Sequence, residues 1–216
     1  MNASTIVEDI LARWRKAPKG PAPKIDLTKI VCALKLIEVK APIGRYELSK
    51  QLGLSQGVVR GLINRLKIRG LIEVSRRGCK LTASGRRALI EFLESRNIVD
   101  AKFLDSSKVS SLAPGPVVFG VRISKGSDFI GDGIAQRDAA IKAGASGATT
   151  LIYVDDRLRF PSTLENVEEL YPSEALYIID ELTPTNGDVL ILCWADSPAR
   201  AFEGAISAAL SIEVIV

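Results

Sequence analysis

The segment GLIEVSRRGCKLTASG, residues 70–85, contains two short apolar runs that flank a four-residue tip. The tip is Arg76-Arg77-Gly78-Cys79, and Gly78 permits the positive backbone angle that a tight hairpin requires. The segment therefore predicts a two-stranded hairpin, with strands over residues 71–74 and 80–82. The end of this hairpin carries two adjacent arginines and no acid.

Helical patterns surround this hairpin on both sides. Apolar residues recur at helical spacing over residues 25–39, 45–52 and 55–70, and Thr82 starts a further helix over residues 83–96. Gly53 is well placed to end the second helix in the left-handed conformation. The order helix, short helix, longer helix, hairpin, helix predicts a winged helix-turn-helix.

Charge is distributed unevenly along the 216 residues. The formal net charge is only +4, but residues 1–114 contain 22 basic and 10 acidic side chains, whereas residues 115–216 contain 7 basic and 15 acidic ones. A basic half joined to an acidic half indicates a nucleic-acid-binding half and a second half with another role.

The composition argues against several kinds of active site. The chain has no histidine, which is the commonest general base and a common metal ligand. Cys32, Cys79 and Cys193 are far apart and have no metal-binding spacing. We therefore expect no catalytic residues, no metal site, no cofactor and no enzymatic activity. No apolar run reaches the length of a signal peptide or a membrane span, so we also expect no membrane contact and a cytoplasmic location.

The third helix has the pattern of a DNA-reading helix. Val59, Leu62, Ile63 and Leu66 form one apolar stripe that should face the core. The first turns of such a helix reach base edges in the major groove, where Arg prefers guanine and Gln or Asn prefers adenine. The predicted DNA-binding residues of this helix are Ser55, Gln56, Gly57, Arg60, Gly61, Asn64 and Lys67. Double-stranded DNA is the predicted partner.

The hairpin tip would place Arg76, Arg77 and Lys80 beside this helix, along the phosphate backbone or in the minor groove. Further phosphate contacts are expected from Arg69, Arg45 and Lys50, and Arg86 and Arg87 are weaker candidates for the same role. A winged helix used only for protein contacts is the alternative interpretation.

The predicted organisation has four parts. Residues 1–23 contain a helix over residues 4–15 and a Pro-rich linker, and the helix is either a strut or a dimerisation arm. Residues 24–105 form the winged helix, residues 106–115 form a second linker rich in Ser and Pro, and residues 116–216 form an α+β domain. The apolar run over residues 189–194 predicts the central strand of that domain, and residues 212–216 predict its last strand.

The acidic half contains several polar residues near strand-to-helix turns, which are common ligand positions. A Gly-rich loop precedes a helix over residues 134–143, but Asp132 is more simply a cap for that helix. Each candidate for a small-molecule pocket also has an ordinary structural interpretation. These candidates are Arg137, Asp138, Thr149, Thr150, Arg159, Asp196 and Arg200. The small-residue helix over residues 198–210 fits either a tight core or a homodimer face.

Two resemblances add to these expectations. The run ELSKQLGLSQGVVRGLINRLKIRGLIEV, followed by KLTASG, resembles the winged-helix regulators of prokaryotes, including the MarR-like group. This resemblance covers about residues 25–95 and implies sequence-specific binding of duplex DNA, usually by a dimer. The passages GDGIAQRDAAIKAGASGATTLIY, RLRFP and GDVLILCWADSPARAFEGAISAAL resemble an archaeal family that joins a winged helix to a C-terminal domain of unknown function.

In that family the C-terminal fold is similar to the small α+β domain inserted in bacterial aspartyl-tRNA synthetases. This likeness implies two layers, with helices on one face of a mostly antiparallel sheet, and it implies no activity.

The favoured hypothesis is a dimeric transcriptional regulator whose acidic half senses a small-molecule effector or forms the homodimer. Two alternatives stay open. In the first, the acidic half is an enzyme that the winged helix regulates or localises. In the second, the chain binds nucleic acid without sequence preference.

Overall fold

The computed structural model describes residues 25–212, which divide into two compact units between Ser95 and Arg96. The predicted helix over residues 4–15, the linker that follows it and the predicted strand beyond Ile212 lie outside the described residues. Each unit is considered by itself.

The first unit is a winged helix, as the sequence predicts. Its elements in order are α1 (Leu27–Lys40), α2 (Arg45–Leu52), α3 (Gln56–Ile68), β1 (Ile72–Ser75), β2 (Gly78–Leu81) and α4 (Ala83–Glu94). The two strands pair antiparallel from Ile72 opposite Leu81 to Ser75 opposite Gly78. The strands therefore extend further toward the tip than the apolar runs indicate, and only Arg76 and Arg77 form the turn.

Local polar contacts explain where these helices begin and end. Asp26 Oδ1 accepts the Lys29 amide at 2.8 Å, and Ser55 Oγ accepts the Val58 amide at 3.4 Å. Thr82 Oγ1 accepts the Gly85 amide at 3.0 Å. These are N-caps, which satisfy amides that have no partner inside the helix. Gly53, at φ 62°, ends α2 in the left-handed conformation that the sequence predicts.

Two close backbone approaches hold the wing against the helices. A Cβ on Gly85 would overlap the carbonyl oxygen of Leu71, so α4 packs directly on the start of the hairpin. A Cβ on Gly78 would lie 2.6 Å from the Ile43 carbonyl, and Gly78 also has φ 131°. Ile43 and Cys79 exchange backbone hydrogen bonds of 3.1 and 2.8 Å, which tie the turn end of β2 to the segment before α2.

The second unit contains a five-stranded antiparallel sheet. Its strands are β3 (Ile98–Leu104), β4 (Val117–Ile123), β5 (Gly147–Val154), β6 (Arg157–Arg159) and β7 (Asp188–Ala195), in the order β3-β4-β7-β5-β6. Its helices are α5 (Ile134–Lys142), α6 (Val167–Leu170), α7 (Pro172–Leu182) and α8 (Pro198–Leu210). The α+β class is confirmed, and β7 is the buried central strand that its apolar run predicts.

Helices cover both faces of this sheet, rather than the one face expected. Phe202 of α8 contacts Phe119 with ring centroids 5.0 Å apart. The next residue of the strand, Gly120, points to the opposite face, where a Cβ would lie 3.3 Å from Leu182 of α7. Both faces are apolar, because Leu190 and Leu192 are as buried as their neighbours, so both need a covering layer.

The predicted domain boundaries are wrong around residues 96–115. Strand β3 belongs to the second unit, although the prediction placed residues 98–104 in the winged helix. The predicted linker 106–115 is also packed, because Val109, Leu112 and Ala113 are buried in the second core. Its Ser and Pro content is typical of a linker. Its apolar residues pack against residues distant in the sequence, and local composition does not predict such contacts.

Helix α8 uses its small residues inside the second unit. A Cβ on Gly204 would lie 2.6 Å from both the Ala145 Cβ and the Cys193 Sγ. The small-residue face therefore forms a tight core, which is one of the two alternatives that the sequence leaves open. None of the helices within residues 25–212 is long and apolar enough to cross a membrane.

Candidate nucleic-acid interface and ligand cavity

One face of α3 is polar and exposed. Val59, Leu62 and Leu66 are fully buried on the opposite side, whereas Ile63, predicted to face the core, is only half-buried. The exposed residues of the predicted reading surface are Ser55, Gln56, Gly57, Arg60, Asn64 and Lys67, and Gly61 is half-buried. The structure thus brings the predicted residues of α3 together on one surface.

Gly57 has no packing requirement within its own unit. A Cβ at this position would meet nothing within 4 Å, and no positive φ demands a glycine there. Glycine is nevertheless a poor helix former. A glycine that packing does not require, in the first turn of a reading helix, is consistent with close approach by a partner.

The turn of the wing is shaped by Ser75, a residue that the sequence analysis does not single out. Its Oγ accepts the Arg77 amide at 3.1 Å and donates to the Gly78 carbonyl at 3.2 Å. The spacing Ser-x-x-Gly is a turn signal that could have identified it. Because Ser75 and Gly78 define the turn, the exposed side chains of Arg76 and Arg77 are free to contact a partner.

Five cations of this surface have no acidic partner. Within residues 25–212 no acidic side chain forms an ion pair with Arg60, Lys67, Arg76, Arg77 or Lys80. By contrast, Arg86 lies 3.6 Å from Glu38 and Arg87 lies 3.7 Å from Glu91. These five cations lie where the winged-helix pattern predicts DNA.

Four arginines of the second unit, Arg122, Arg137, Arg157 and Arg200, pair with acids. Arg122 lies 2.9 Å from Asp188, and Arg157 lies 3.0 Å from Glu168. Asp188 is fully buried and also accepts the backbone amides of Lys125 and Thr185. These pairs have an evident structural role in the second unit.

A groove of about 590 Å³ lies between the end of α3 and the wing. It is lined by Lys67, Gly70, Ile72, Glu73, Val74, Ser75, Gly78, Lys80 and Thr82. Two lysines in a groove of this kind suit a phosphate backbone. Glu73 is the cross-strand neighbour of Lys80, so Lys80 has more acidic surroundings than the two arginines of the turn.

Three of the seven predicted ligand residues line one cavity of about 200 Å³ in the second unit. They are Arg137, Thr149 and Thr150, and the remaining lining residues are Asp132, Gly133, Ile134, Ala148, Phe160, Pro161 and Ser162. Phe160, Pro161 and Ser162 follow β6. They reach the cavity because β6 pairs with β5 in a hairpin.

The other four predicted ligand residues do not line this cavity. Asp196 pairs with Arg200 at 2.9 Å, and Asp138 lies 3.2 Å from the Arg137 guanidinium. Arg159 Nη1 donates to the Leu164 carbonyl at 3.0 Å. Arg200 reaches back from the first turn of α8 to Asp196, the residue that follows β7, and this i,i+4 pair engages both side chains outside the cavity.

Asp132 caps α5 from one position further out than predicted. The residue directly before the helix is Gly133, at φ 83°, and Asp132 Oδ1 accepts the Ile134 amide at 2.9 Å. The carboxylate therefore satisfies the first amide of the helix, and Asp132 also lines the cavity.

Cys32, Cys79 and Cys193 are buried, and none of them forms a disulfide within the described residues. Burial raises the pKa of the Cys79 thiol and raises that of Cys193 to about 12. A thiol with a raised pKa is a poor nucleophile and a poor metal ligand at neutral pH. Within the described part of the chain, no group of three or more His, Cys, Asp or Glu side chains could hold a metal ion.

The comparison with known families concerns both units. Residues 28–96 match the model described as the CggR N-terminal DNA binding domain. The chain thus has an N-terminal DNA-binding domain. Residues 115–212 match the model of a domain of unknown function, DUF4443. The sequence predictions of DNA binding in the first half and of a functionally uncharacterised second domain are confirmed at this level.

A solved structure of a hypothetical protein from Pyrococcus horikoshii OT3 is similar to the chain. The two share 26% sequence identity, with a TM-score of 0.66, over 88% of this chain and 94% of the other. A search of curated proteins finds no match.

Proposed function

We propose that the protein is a cytoplasmic, sequence-specific transcriptional regulator. Its winged helix reads duplex DNA, and its C-terminal domain senses a small molecule or forms a homodimer. The proposal assigns no catalysis to the chain, since the sequence has no histidine and its thiols are buried.

The observation that carries the proposal is the set of unpaired cations on α3 and on the wing. An exposed cation without an acidic partner is free to replace the counterions of a phosphate backbone. These cations lie on the two elements that a winged helix presents to DNA, while Arg86 and Arg87 of the same domain are paired with acids.

The residues of this surface have distinct expected roles. Arg60 is suited to bidentate recognition of a guanine, and Gln56 or Asn64 to recognition of an adenine. Arg76 and Arg77 carry charge at a turn and suit the phosphate backbone or the minor groove. Base contacts and phosphate contacts can be separated, because only the first kind depends on sequence.

The test is selection of bound duplexes from random DNA by the full chain at physiological salt. A recovered motif supports a specific regulator, and a palindrome gives the half-site spacing of a dimer. The same selection with Arg60→Ala should relax one position of the motif, with a loss of about 1–3 kcal/mol of discrimination there. Equal competition by unrelated duplexes would instead show a non-specific nucleic-acid binder.

A further inference from the structure

Helix α5 presents an exposed stripe of apolar and charged side chains. Ile134 and Ile141 are 47% and 49% exposed, and Arg137 and Asp138 between them are more than half exposed. These four side chains fall within about 100° of the circumference of a helix with 3.6 residues per turn. The buried Gln136 lies on the opposite side of α5, so the stripe is an outer face of the second unit.

The apolar surface continues onto the end of α8. Leu210 is exposed and directly precedes Ser211, whose Oγ accepts a hydrogen bond from Gln136 Nε2 at 3.1 Å. The end of α8 therefore lies beside the start of α5. Half-exposed apolar side chains that share one surface gain free energy when a second surface covers them.

The order of residues along the stripe is complementary to itself. A two-fold axis that crosses α5 midway between residues 137 and 138 relates it to an antiparallel copy. Arg137 then lies opposite Asp138 of the second copy, and Ile134 lies opposite Ile141 of the second copy. Each charge meets its opposite and each isoleucine meets an isoleucine, as an isologous interface requires.

The contact between Arg137 and Asp138 within one chain is compatible with this pairing. Their side chains are 3.2 Å apart, and an exposed ion pair of this kind is weak. A guanidinium has five N–H donors, so it can contact the carboxylate of its own chain and that of a second copy. Four charges of alternating sign then surround the two-fold axis.

Other exposed helix faces fit a second copy less well. Helix α7 exposes Leu176, but no basic residue lies within residues 172–182 to face its acids. Within residues 83–94, helix α4 exposes one large apolar side chain, Ile90, and its two arginines lie near Glu38 and Glu91.

We propose that α5 pairs antiparallel with α5 of a second copy of this chain. The pairing deepens the homodimer alternative of the proposed function, and its consequence for operator half-sites rests on that function. Nine residues of helix are about 14 Å long, which places the contact in the class of transient interfaces below about 1,200 Å². We therefore expect a dissociation constant on the order of 10–100 µM.

The first test is analytical ultracentrifugation of the full chain from about 1 to 300 µM, which brackets that dissociation constant. The parent should show a reversible monomer–dimer equilibrium. Ile141→Asp should weaken it by about tenfold or more, because two carboxylates would face apolar side chains. Ile90→Asp is the matched control, since Ile90 is an isoleucine 46% exposed on a helix of the other unit, and it should leave the equilibrium unchanged. Circular dichroism checks that both variants keep their helix content.

A charge-swap experiment tests the antiparallel register. Arg137→Asp alone brings four acids around the axis and Asp138→Arg alone brings four bases, so each variant should self-associate about fivefold more weakly than the parent. An equimolar mixture of the two variants has opposite charges at both contacts and should associate more strongly than either variant alone. A role of these residues inside the monomer would not produce this recovery.

The pairing and the proposed function fail separately. A parent that stays monomeric, a dimer that Ile141→Asp leaves unchanged, or a mixture no stronger than its components overturns the pairing, even if the chain selects a DNA motif. A dimer that Ile141→Asp weakens, in a chain that selects no DNA motif, upholds the pairing and overturns the sequence-specific regulator.

Discussion

Arg76-Arg77 and Arg86-Arg87 are two adjacent arginine pairs in the same domain with different surroundings. The first pair lies at the turn of the wing without acids, and the second lies on α4 with Glu38 and Glu91 nearby. The double variant Arg76→Ala/Arg77→Ala should weaken binding to all duplexes and reduce the slope of log K against log salt by about two.

The double variant Arg86→Ala/Arg87→Ala serves as its control and should leave this slope nearly unchanged. Fluorescence anisotropy with one specific and one unrelated duplex over a range of salt measures both. Equal slopes for the two double variants would contradict the role assigned to the wing.

Gly57 and Gly85 predict opposite effects of the same substitution. Gly57→Ala adds a methyl group in open space and should stabilise the fold by roughly 0.5 kcal/mol. Gly85→Ala forces a methyl group onto the Leu71 carbonyl and should cost about 3 kcal/mol. Urea unfolding measures both free energies.

The DNA affinity of Gly57→Ala gives a second readout. If α3 enters the major groove, the added methyl group should weaken DNA binding about tenfold while the fold becomes more stable. If the variant is more stable and binds DNA as tightly as the parent, the first turn of α3 does not contact DNA.

The residues of the α3 surface could be predicted from the sequence more fully than those of the cavity in the second unit. Helical periodicity separates exposed Arg60 and Asn64 from buried Leu62, because both faces of one helix are fixed by the same 3.6-residue repeat. The cavity is different, because Thr150 and Ser162 are brought together only by a strand pairing that the sequence does not state. The pair Asp196 and Arg200 could have been anticipated from its i,i+4 spacing.

At the scale of elements, strong periodicity and capping residues predict nearly every helix and strand of the described chain. The exceptions are β3, the packed segment 105–115 that follows it, and the short helix α6. Residues 98–104 include the charged residues Asp100 and Lys102, and their pairing with β4 is a tertiary contact. The presence of helices on both faces of the second sheet could not be predicted either, because an apolar strand does not indicate which helix covers each of its faces.

Strand β7 and helix α8 meet at Cys193, and this contact predicts a pH dependence. Burial raises the pKa of Cys193 from 9.0 in the unfolded chain to about 12 in the native one. Below pH 9 the thiol is protonated in both states. Between pH 9 and about 12 the unfolded chain loses the proton and the native protein keeps it, so the free energy of unfolding falls as pH rises.

The variant Cys193→Ala isolates this contribution. It should be less stable than the parent at pH 8 because it leaves a small void beside Gly204. The difference from the parent should narrow above pH 9, as shown by urea unfolding of both proteins at pH 8, 9 and 10. A difference that stays constant across this range would refute the assignment.

At the scale of the whole molecule, the two units have separate cores, and this predicts that local destabilisation stays local. Gly85→Ala should lower the hydrogen-exchange protection of amides within residues 25–95 and leave β4, β5 and β7 as protected as in the parent. Exchange followed by mass spectrometry of peptides distinguishes the two regions. An equal loss of protection in both would show that the chain unfolds as one cooperative body.

The construction of the wing has a consequence for the evolution of this protein. Gly78 and Ser75 are constrained by backbone geometry, whereas the side chains of Arg76 and Arg77 are exposed. Selection can therefore replace the two turn residues without a penalty in folding. Descendants of this chain should retain the glycine and the serine while the residues between them diversify with the partner that each lineage binds there.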